Sequence, residues 1–432
     1  MLTNNEIIKA AFKVWGRNFY RTTSLTDIAR ELGVSKPALY RHFRDKDALL
    51  GEMFTTFFDD FAAFIREAYG KALAAGNQRE SGRIMMRVVS EYYIRNRDTF
   101  IFSLTKVHNS LDKDNISREF LNRGIDFRNL AYGRETPSFY PSKTQLIMVT
   151  VIFYIGLFHR SNEKSDEIPT DEKVSQVLAD IEDRIKNGLG LHSLKASALD
   201  YGNLEREASV SLEEAIEHNV ILKAVASAVA EAGPWDASME MVARRSGLSK
   251  SSLYAHFKNK QDMLAQFFFT EFNKIINFAR MKIERIEKPE EQLYLAIISI
   301  VNYLRSSPEI LLAIDWLKTR PLELEKELPS QLYKVIASIK LEAIQKKDLH
   351  ALVIIGEWIL FLIVNTLAWW QTAEISGQGL AASCQRLELS KTWAKNAVEV
   401  PNESFRILYR FIALGLGGIP GNDFPEPAGG LN

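Results

Sequence analysis

The side chains best suited to recognition chemistry form a short basic and aromatic surface that occurs twice in the sequence. In the first copy, Lys36, Tyr40 and Arg44 have helical spacing on one face, whereas Leu39 and Phe43 fall on the opposite, apolar face. Ammonium, guanidinium and phenol groups donate hydrogen bonds to phosphates, and a guanidinium can also donate two hydrogen bonds to guanine. The pattern therefore favours contact with a nucleic acid.

Two short helices joined by a glycine turn are predicted to hold this surface. Ser24 and Asp27 have the spacing of a capping box that opens the first helix. Gly33 can adopt the left-handed conformation that ends the helix, and Ser35 is predicted to cap the next one. A helix-turn-helix needs this arrangement to place its second helix in a major groove.

The whole stretch is duplicated. Gly33 aligns with Gly247, 214 residues later, and about half of the positions between Ala29 and Leu50 are identical in the second copy. The matching residues there are Ala243, Arg244, Gly247, Ser249, Lys250, Leu253, Tyr254, His256, Phe257, Lys260 and Leu264. A repeat of this length indicates a duplicated domain, because solenoid repeats have periods of roughly 20–50 residues.

Both copies resemble the DNA-binding domain of the TetR family of transcriptional regulators. In the first copy the resembling residues are Leu25–Ala29, Gly33–Ser35, Leu39–Phe43, and Asp45 and Lys46 with Leu49. In the second copy they are Met241–Ala243, Gly247–Ser249, Leu253–Phe257, and Asn259 and Lys260 with Leu264. The remainder of each half fits the family only in its length and helical pattern.

The resemblance implies an all-α protein with two helix-turn-helix heads, each joined to a helical-bundle ligand and dimerisation domain. Since family members generally pair as homodimers through the last two helices of that domain, the duplicated chain is expected to be a covalent pseudo-dimer that is a monomeric chain in solution. The predicted domains are 1–50 and 211–264 for the heads, 51–189 and 265–416 for the ligand domains, 190–210 for a linker, and 417–432 for a flexible tail. Periodicity also predicts helical segments near 98–111 and near 329–345.

The resemblance also implies which residues contact DNA. In the first head they are Thr26, Ser35, Lys36, Pro37, Ala38, Tyr40, Arg41, His42 and Lys46. In the second head they are Ser249, Lys250, Ser251, Ser252, Tyr254, His256 and Lys260. Arg41 could bind guanine and the matching Ala255 cannot, so we expect an operator with two unlike half-sites.

The charge distribution agrees with two local DNA contacts. The chain has 54 basic and 54 acidic residues and hence no net charge. Met1–Leu50 carries +4 and Met239–Leu264 carries +3, so the two heads are basic islands in a neutral chain.

Polar or aromatic residues inside apolar helical segments indicate an effector pocket. The candidates are Tyr93, His108, Tyr154, Trp316, Glu357 and Asn365. A small-molecule site is mostly apolar with a few polar groups, and a buried carboxylate such as Glu357 needs a partner or a cationic ligand. The alternative interpretation is that each is a satisfied core or interface residue.

Other classes of function find no support in the sequence. Cys384 is the single cysteine, no histidine pair has helical metal-ligand spacing, and no phosphate-binding or nucleophile motif occurs, so we expect no disulfide, metal, cofactor or enzyme activity. The longest apolar stretch, 351–370, contains Glu357 and Asn365, which favours a buried helix over a membrane span. No signal peptide is recognised, and a cytoplasmic location is expected.

These patterns predict a DNA-binding transcriptional regulator, more specifically a repressor released when a small-molecule effector moves the heads through the helix that follows each of them. Two alternatives stay open. In the first, only the first head binds DNA and the rest of the chain is an effector- or protein-binding module. In the second, the scaffold has become an enzyme.

Overall fold

The protein folds into helices throughout the part of the chain that the structure describes. The structure is a computed structural model, and it describes residues 2–17, 23–75, 77–107, 113–127, 130, 141–162, 167–192, 199–209, 220–317, 329–375 and 400–419. No strand occurs among these residues, which confirms the predicted all-α class. They form two compact units. Unit 1 is Met1–Thr136, Tyr154–Ala179 and Ser376–Gln385, and unit 2 is Pro137–Phe153, Asp180–Ile375 and Arg386–Asn432.

Helices of the first repeat account for most of unit 1. In chain order they are α1 (Asn4–Arg17), α2 (Leu25–Glu31), α3 (Lys36–Tyr40), α4 (Lys46–Ala74), α5 (Gln78–Arg95), α6 (Arg97–Phe102), a π-helix (Ser103–Val107) and α7 (Lys113–Asn122). The next two, α8 (Lys143–Ser161) and α9 (Asp171–Asn187), have residues in both units.

An aromatic stripe along α4 forms the core of unit 1. Phe57, Phe58 and Phe61 are almost fully buried, and the ring of Phe57 lies 6.0 Å from that of Phe102. Their spacing of three and four residues places them on one face of the helix. The helical repeat of these side chains thus produces a continuous packed layer beneath the first head.

The helical segment predicted near 98–111 changes its helix type. An α-helix ends at Phe102 and a π-helix follows it to Val107, and residues 108–112 lie outside the described part. Within this segment the Thr105 hydroxyl donates to the Ile101 carbonyl at 2.7 Å. Such a bond accompanies the change of helix type, which hydrophobic periodicity alone does not specify.

Unit 2 contains the helices of the second repeat. They are α10 (Tyr201–Glu207), α11 (Val220–Asp236), α12 (Met239–Ser246), α13 (Lys250–His256), α14 (Lys260–Glu284), α15 (Pro289–Ser306), α16 (Pro308–Leu317), α17 (Tyr333–Ala337), α18 (Glu342–Gln345), α19 (Leu349–Ile375) and α20 (Asn402–Leu414). Short 3-10 helices cover Pro329–Leu332 and Gly415–Gly418. The segment predicted to be helical near 329–345 consists of three short helical pieces, and the Lys340 backbone N–H between the last two donates to Gln292 Oε1 at 2.7 Å.

Helices from both repeats pack together within unit 2. The Trp358 indole in α19 is fully buried and donates to Thr150 Oγ1 of α8 at 3.2 Å. The Arg184 guanidinium of α9 lies 5.1 Å from the same indole ring. Beyond α9, the Leu189 N–H donates to the Ile412 carbonyl of α20 at 2.7 Å. Late helices of the two halves therefore share one core.

The predicted linker contains a helix, α10, that packs against other helices of unit 2. In α10, Leu204 is buried, and the Glu205 carboxylate accepts two hydrogen bonds from Arg406 at 2.8 and 3.1 Å and one from the Tyr294 hydroxyl at 2.7 Å. The Lys282 ammonium donates to the Ser209 carbonyl just after this helix, at 3.0 Å. These long-range hydrogen bonds hold the segment that leads to the second head.

Replacing Glu205 with glutamine is expected to lower the free energy of unfolding by about 1.5 kcal/mol, because the amide cannot accept a bidentate, charge-assisted pair. Burial opposes ionisation, but the hydrogen bonds from Arg406 and Tyr294 outweigh it and hold the pKa of Glu205 below its usual value. The difference between the two proteins should therefore be complete at neutral pH and disappear as the pH falls through that lowered pKa. Urea unfolding at several pH values measures it.

Glu403 provides the matched control for this prediction. It also pairs with Arg406, at 3.0 Å, but its side chain is 48% exposed. Glu403→Gln should change stability by only a few tenths of a kcal/mol, since exposed ion pairs contribute about 0–1 kcal/mol. An equal loss in the two variants would contradict the special role of Glu205.

Two helices are long and apolar enough to cross a membrane by length and composition, Lys143–Ser161 and Leu349–Leu367, or up to three if the sharply bent pair Pro289–Ser306 and Pro308–Ile314 is one span. Buried residues such as Trp358 and Ile363 of the second helix lie in the core of unit 2.

Candidate DNA interface

Local interactions build the framework of the first head as predicted. Ser24 and Asp27 form a reciprocal capping box, in which the Ser24 N–H donates to Asp27 Oδ2 at 2.8 Å and the Asp27 N–H donates to Ser24 Oγ at 3.3 Å. Gly33 has a φ of +66°, and Leu39 is fully buried. A 3.0 Å ion pair between Lys13 and Glu31 joins α1 to α2. The head is thus a closed packing unit that orients α3.

Most of the residues predicted to read DNA in the first head point to solvent. Lys36 lies with its ammonium 5.8 Å from the Tyr40 ring, and Tyr40 is 47% exposed. The exposed members are Thr26, Ser35, Lys36, Pro37, Tyr40 and Arg41, whereas Ala38, His42 and Lys46 are half-buried.

Three predicted contact residues of the first head have additional or different local roles. Ser35 occupies the N-cap position of α3, but its side chain makes no capping hydrogen bond, so that part of the prediction was wrong. His42 Nδ1 lies 2.7 Å from Asn4 Oδ1, which ties it to α1. Burial lowers the pKa of Lys46, whose ammonium lies 5.8 Å from the Trp15 ring.

The second head repeats the framework with different partners. Ser238 Oγ accepts from the Met241 N–H at 3.2 Å, and Gly247 has a φ of +70°. Ser249 does cap its helix, since its Oγ accepts from the Ser252 N–H at 3.0 Å. Here Arg245 joins α12 to α11 through Glu231, where the first head uses Glu31 and Lys13. The charges of the ion pair are reversed, and its partner in α11 is shifted by one helical turn, since Glu231 aligns with Arg17 and not with Lys13.

The predicted reading residues of the second head are also accessible. Those that the structure places in solvent are Ser249, Lys250, Ser251, Ser252, Tyr254 and His256, whereas Lys260 is half-buried. Burial lowers the pKa of Lys260, as it does for the matching Lys46.

Sequence reasoning missed one charged residue at this surface. The Glu240 carboxylate in α12 makes an ion pair with the Lys250 ammonium in α13. The hydrogen bond between them lowers the pKa of Glu240 and raises that of Lys250. The 214-residue offset between the copies could have identified Glu240 as part of this surface, because the offset aligns Glu240 with Thr26, a predicted contact of the first head.

The candidate effector residues lie in two separate groups. In unit 1, the Tyr93 hydroxyl lies 2.9 Å from Ser103 Oγ, burial raises the pKa of Tyr93 to about 12, and Tyr154 is buried. In unit 2, Glu357 and Asn365 are half-buried on α19, and Asn365 donates to the Phe361 carbonyl of its own helix at 2.8 Å. His108 and the side chain of Trp316 lie outside the described residues.

A buried histidine beside Tyr93 was not among the predicted pocket residues. His159 is 7% exposed, and its Nε2 lies 2.8 Å from the Tyr93 carbonyl, which can only accept, so Nε2 carries the hydrogen. Burial is the main cause that lowers the pKa of His159 to about 4. The imidazole is therefore neutral at pH 7.

Unit 1 is expected to lose stability in mild acid because of His159. The unfolded chain binds a proton near pH 6.5 and the folded chain only near pH 4, so stability is complete above the first value and falls below it, by about 1 kcal/mol between pH 7 and pH 5.5. Urea unfolding at these two values tests this. The variant His159→Gln keeps a donor for the Tyr93 carbonyl but has no imidazole to protonate, so its free energy of unfolding should fall by about 1 kcal/mol less between these pH values. An equal fall in the variant and the natural chain would show that His159 is not the group responsible.

Among the described residues, no cluster of three or more histidine, cysteine, aspartate or glutamate side chains could hold a metal ion.

Comparison with known proteins identifies the two heads. The family model for bacterial regulatory proteins of the tetR family matches residues 7–53 and again residues 221–267, which confirms the predicted tandem duplication of TetR-like units. Among solved structures, the transcriptional regulator FadR from Bacillus subtilis, in complex with stearoyl-CoA, is 23% identical; the match covers 40% of this chain and 96% of that one, with a TM-score of 0.32. No curated protein sequence matches the chain significantly.

Proposed function

Because the chain carries two tetR-type DNA-binding domains in tandem, we propose that it is a sequence-specific transcriptional regulator whose two heads act on one operator. The observation that carries this proposal is the repeated framework, in which Leu39 and Leu253 are fully buried while Tyr40 and Tyr254 are about half exposed. Burial of the apolar face fixes each short helix and leaves its basic face available to the major groove. No catalytic step is part of the proposal.

One chain acts as a covalent pseudo-dimer in this proposal. The packing of α8 and α9 with α19 and α20 in unit 2 supports it, since late helices of both halves share that core. The heads would then reach two half-sites one helical turn of DNA apart, or a multiple of it. Covalent linkage makes this pairing independent of protein concentration.

The half-sites are proposed to be unlike. Arg41, which can bind guanine, is exposed in the first head, and the matching residue of the second head is Ala255, which is also exposed. Residues that differ in hydrogen-bonding capacity at the same position of the two reading helices select different base pairs. The operator is therefore asymmetric.

A small-molecule effector is proposed to release the DNA. The polar pair of Tyr93 and Ser103 within the aromatic core of unit 1 supports a ligand site there. Release requires the effector to bind the conformation that does not fit DNA more tightly than the one that does. The protein would act in this way as a repressor in the cytoplasm.

The second candidate function is that only the first head binds DNA. The ion pair of Glu240 with Lys250 favours it, because a carboxylate stands among the predicted phosphate contacts of the second head. In that case the second half serves as an effector- or protein-binding module.

Selection of bound sequences from random duplex DNA by the full chain, with the mass of the complex measured under native conditions, tests the proposal. The expected result is one chain on one site of two unlike half-sites. A symmetric palindrome carrying two chains would refute the pseudo-dimer. Recovery of a single half-site would establish the second candidate function, and failure to enrich any sequence would refute DNA recognition.

A further inference from the structure

The two heads differ in charge at one matched point of the same framework. Glu240 is the second residue of α12, and the 214-residue offset aligns it with Thr26, the second residue of α2. Both side chains are exposed. A neutral hydroxyl that can donate to phosphate in the first head is thus replaced by an acceptor with a negative charge in the second.

That carboxylate binds a cation of the reading helix. Glu240 and Lys250 form an ion pair across α12 and α13, with side chains 61% and 51% exposed. In the first head, the matching Lys36 lies over the Tyr40 ring and has no carboxylate partner among the described residues. Lys36 is therefore available to a phosphate, whereas Lys250 must first leave Glu240.

The charge of the two heads over equal lengths points the same way. Residues 1–50 contain nine lysines and arginines and five acidic residues, whereas the aligned residues 215–264 contain six and five. The net charges are +4 and +1. Since neutralisation of phosphates by cations dominates salt-dependent affinity for DNA, the second head has the weaker electrostatic attraction.

We propose that Glu240 is a negative determinant of DNA binding by the second head. It occupies Lys250 and repels phosphate, so the first head supplies most of the electrostatic affinity and engages DNA first. The second head then binds at the high local concentration that the covalent connection provides. Its contacts add discrimination between DNA sequences. This inference rests on the proposed function.

Exchanging the two matched residues tests the inference. Glu240→Thr and Thr26→Glu are compared in the full chain, on a short duplex of random sequence and on the selected operator, over a series of salt concentrations. Glu240→Thr should tighten binding by about three- to ten-fold and steepen the dependence of log affinity on log salt by about one, because one cation is released to a phosphate. Thr26→Glu should weaken binding by a similar factor.

A double-mutant cycle then isolates the pair. Lys250→Ala should have little effect in the natural chain, because Glu240 holds that lysine, but should weaken binding by about three- to ten-fold when Glu240 is already threonine. Glu284→Thr is the control, since it also removes an exposed carboxylate from unit 2 but at the far end of α14. It should leave both affinity and salt dependence unchanged.

The outcomes separate this inference from the proposed function. If Thr26→Glu weakens binding but Glu240→Thr changes neither quantity, the inference is overturned and the proposed function stands. Weaker binding by Glu240→Thr would show that the carboxylate contacts DNA itself, as an acceptor from cytosine, and would also overturn the inference. If the unaltered chain binds neither duplex, both are refuted. Thermal unfolding of each variant checks that these exposed changes leave the fold intact.

Discussion

Replacing Gly415 with alanine is expected to destabilise unit 2 by about 3–5 kcal/mol. Gly415 ends α20 with a φ of +66°, a conformation that L side chains rarely adopt. An added Cβ would lie 2.6 Å from the Asn187 backbone nitrogen and closer still to the Lys186 carbonyl oxygen. Both neighbours are backbone at the end of α9, so neither can move away without disrupting that helix.

This close approach is the point where the last helices of the two halves meet within unit 2. The Leu191 N–H donates to the Ala413 carbonyl at 3.0 Å, next to the bond from Leu189 to Ile412. An alanine at 415 would separate the two backbones and break these hydrogen bonds. If the pseudo-dimer holds, operator affinity should fall together with stability, because the contact between α9 of the first half and α20 of the second is lost.

Alanine variants of two other glycines distinguish the energetic cost of the steric clash from the cost of the backbone conformation. Gly190 has a φ of +74° but open space around its Cβ position, so Gly190→Ala should cost only about 1 kcal/mol. Gly417 has neither a positive φ nor a neighbour within 4 Å, and Gly417→Ala should be nearly neutral. Urea unfolding of the three variants measures the order. A cost for Gly415→Ala no greater than that for Gly190→Ala would contradict the close approach.

Replacing Arg41 with alanine is expected to weaken binding to the selected operator by about 2–3 kcal/mol, which corresponds to roughly thirty- to a hundred-fold or more. The side chain is exposed directly after α3 and can donate two hydrogen bonds to one guanine. Specificity should relax at one base pair of one half-site and stay intact at the other. Competition binding with operators mutated position by position measures both quantities.

Arg79 supplies the charge-matched control for Arg41. It is an exposed arginine in α5, outside the head, and Arg79→Ala removes the same charge from unit 1. It should change operator affinity by less than about three-fold and leave the specificity unchanged. A uniform loss for Arg41→Ala across all DNA sequences would instead show that Arg41 contacts a phosphate.

Ala255→Arg extends the same argument to the second head. The exposed site accepts the longer side chain without a steric cost, and the new guanidinium lies at the position that matches Arg41. If the heads read DNA as proposed, the selected operator should become more symmetric.

The sequence by itself determined the two heads and the helical class of the protein. Capping boxes, the glycine turns and the buried spacing of Leu39 and Phe43 all depend on residues three to ten positions apart, so their geometry follows from local stereochemistry. The structure confirms the capping box of Ser24 and Asp27 and the left-handed conformation of Gly33 and Gly247. The duplication was visible because the same pattern of capping, turn and buried residues occurs in both halves of the sequence.

Only the tertiary structure decided which distant side chains meet. Glu205 reaches Tyr294 and Arg406, which are 89 and 201 residues away, and Trp358 reaches Thr150 across 208 residues. Such contacts depend on how helices are stacked, and the period of a single helix carries no information about its partners.

The charged surface of the second head shows the same division on a smaller scale. The repeat placed Lys250 on the second reading helix, but the Lys250–Glu240 pair joins two helices whose crossing sets the distance between the charges. The neutral state of His159 likewise follows from burial against Tyr93 and Phe100, which are 66 and 59 residues earlier in the chain. Local spacing therefore determined what each head is, and packing between distant segments decided how its charges are used, because burial and ion pairing depend on neighbours in space.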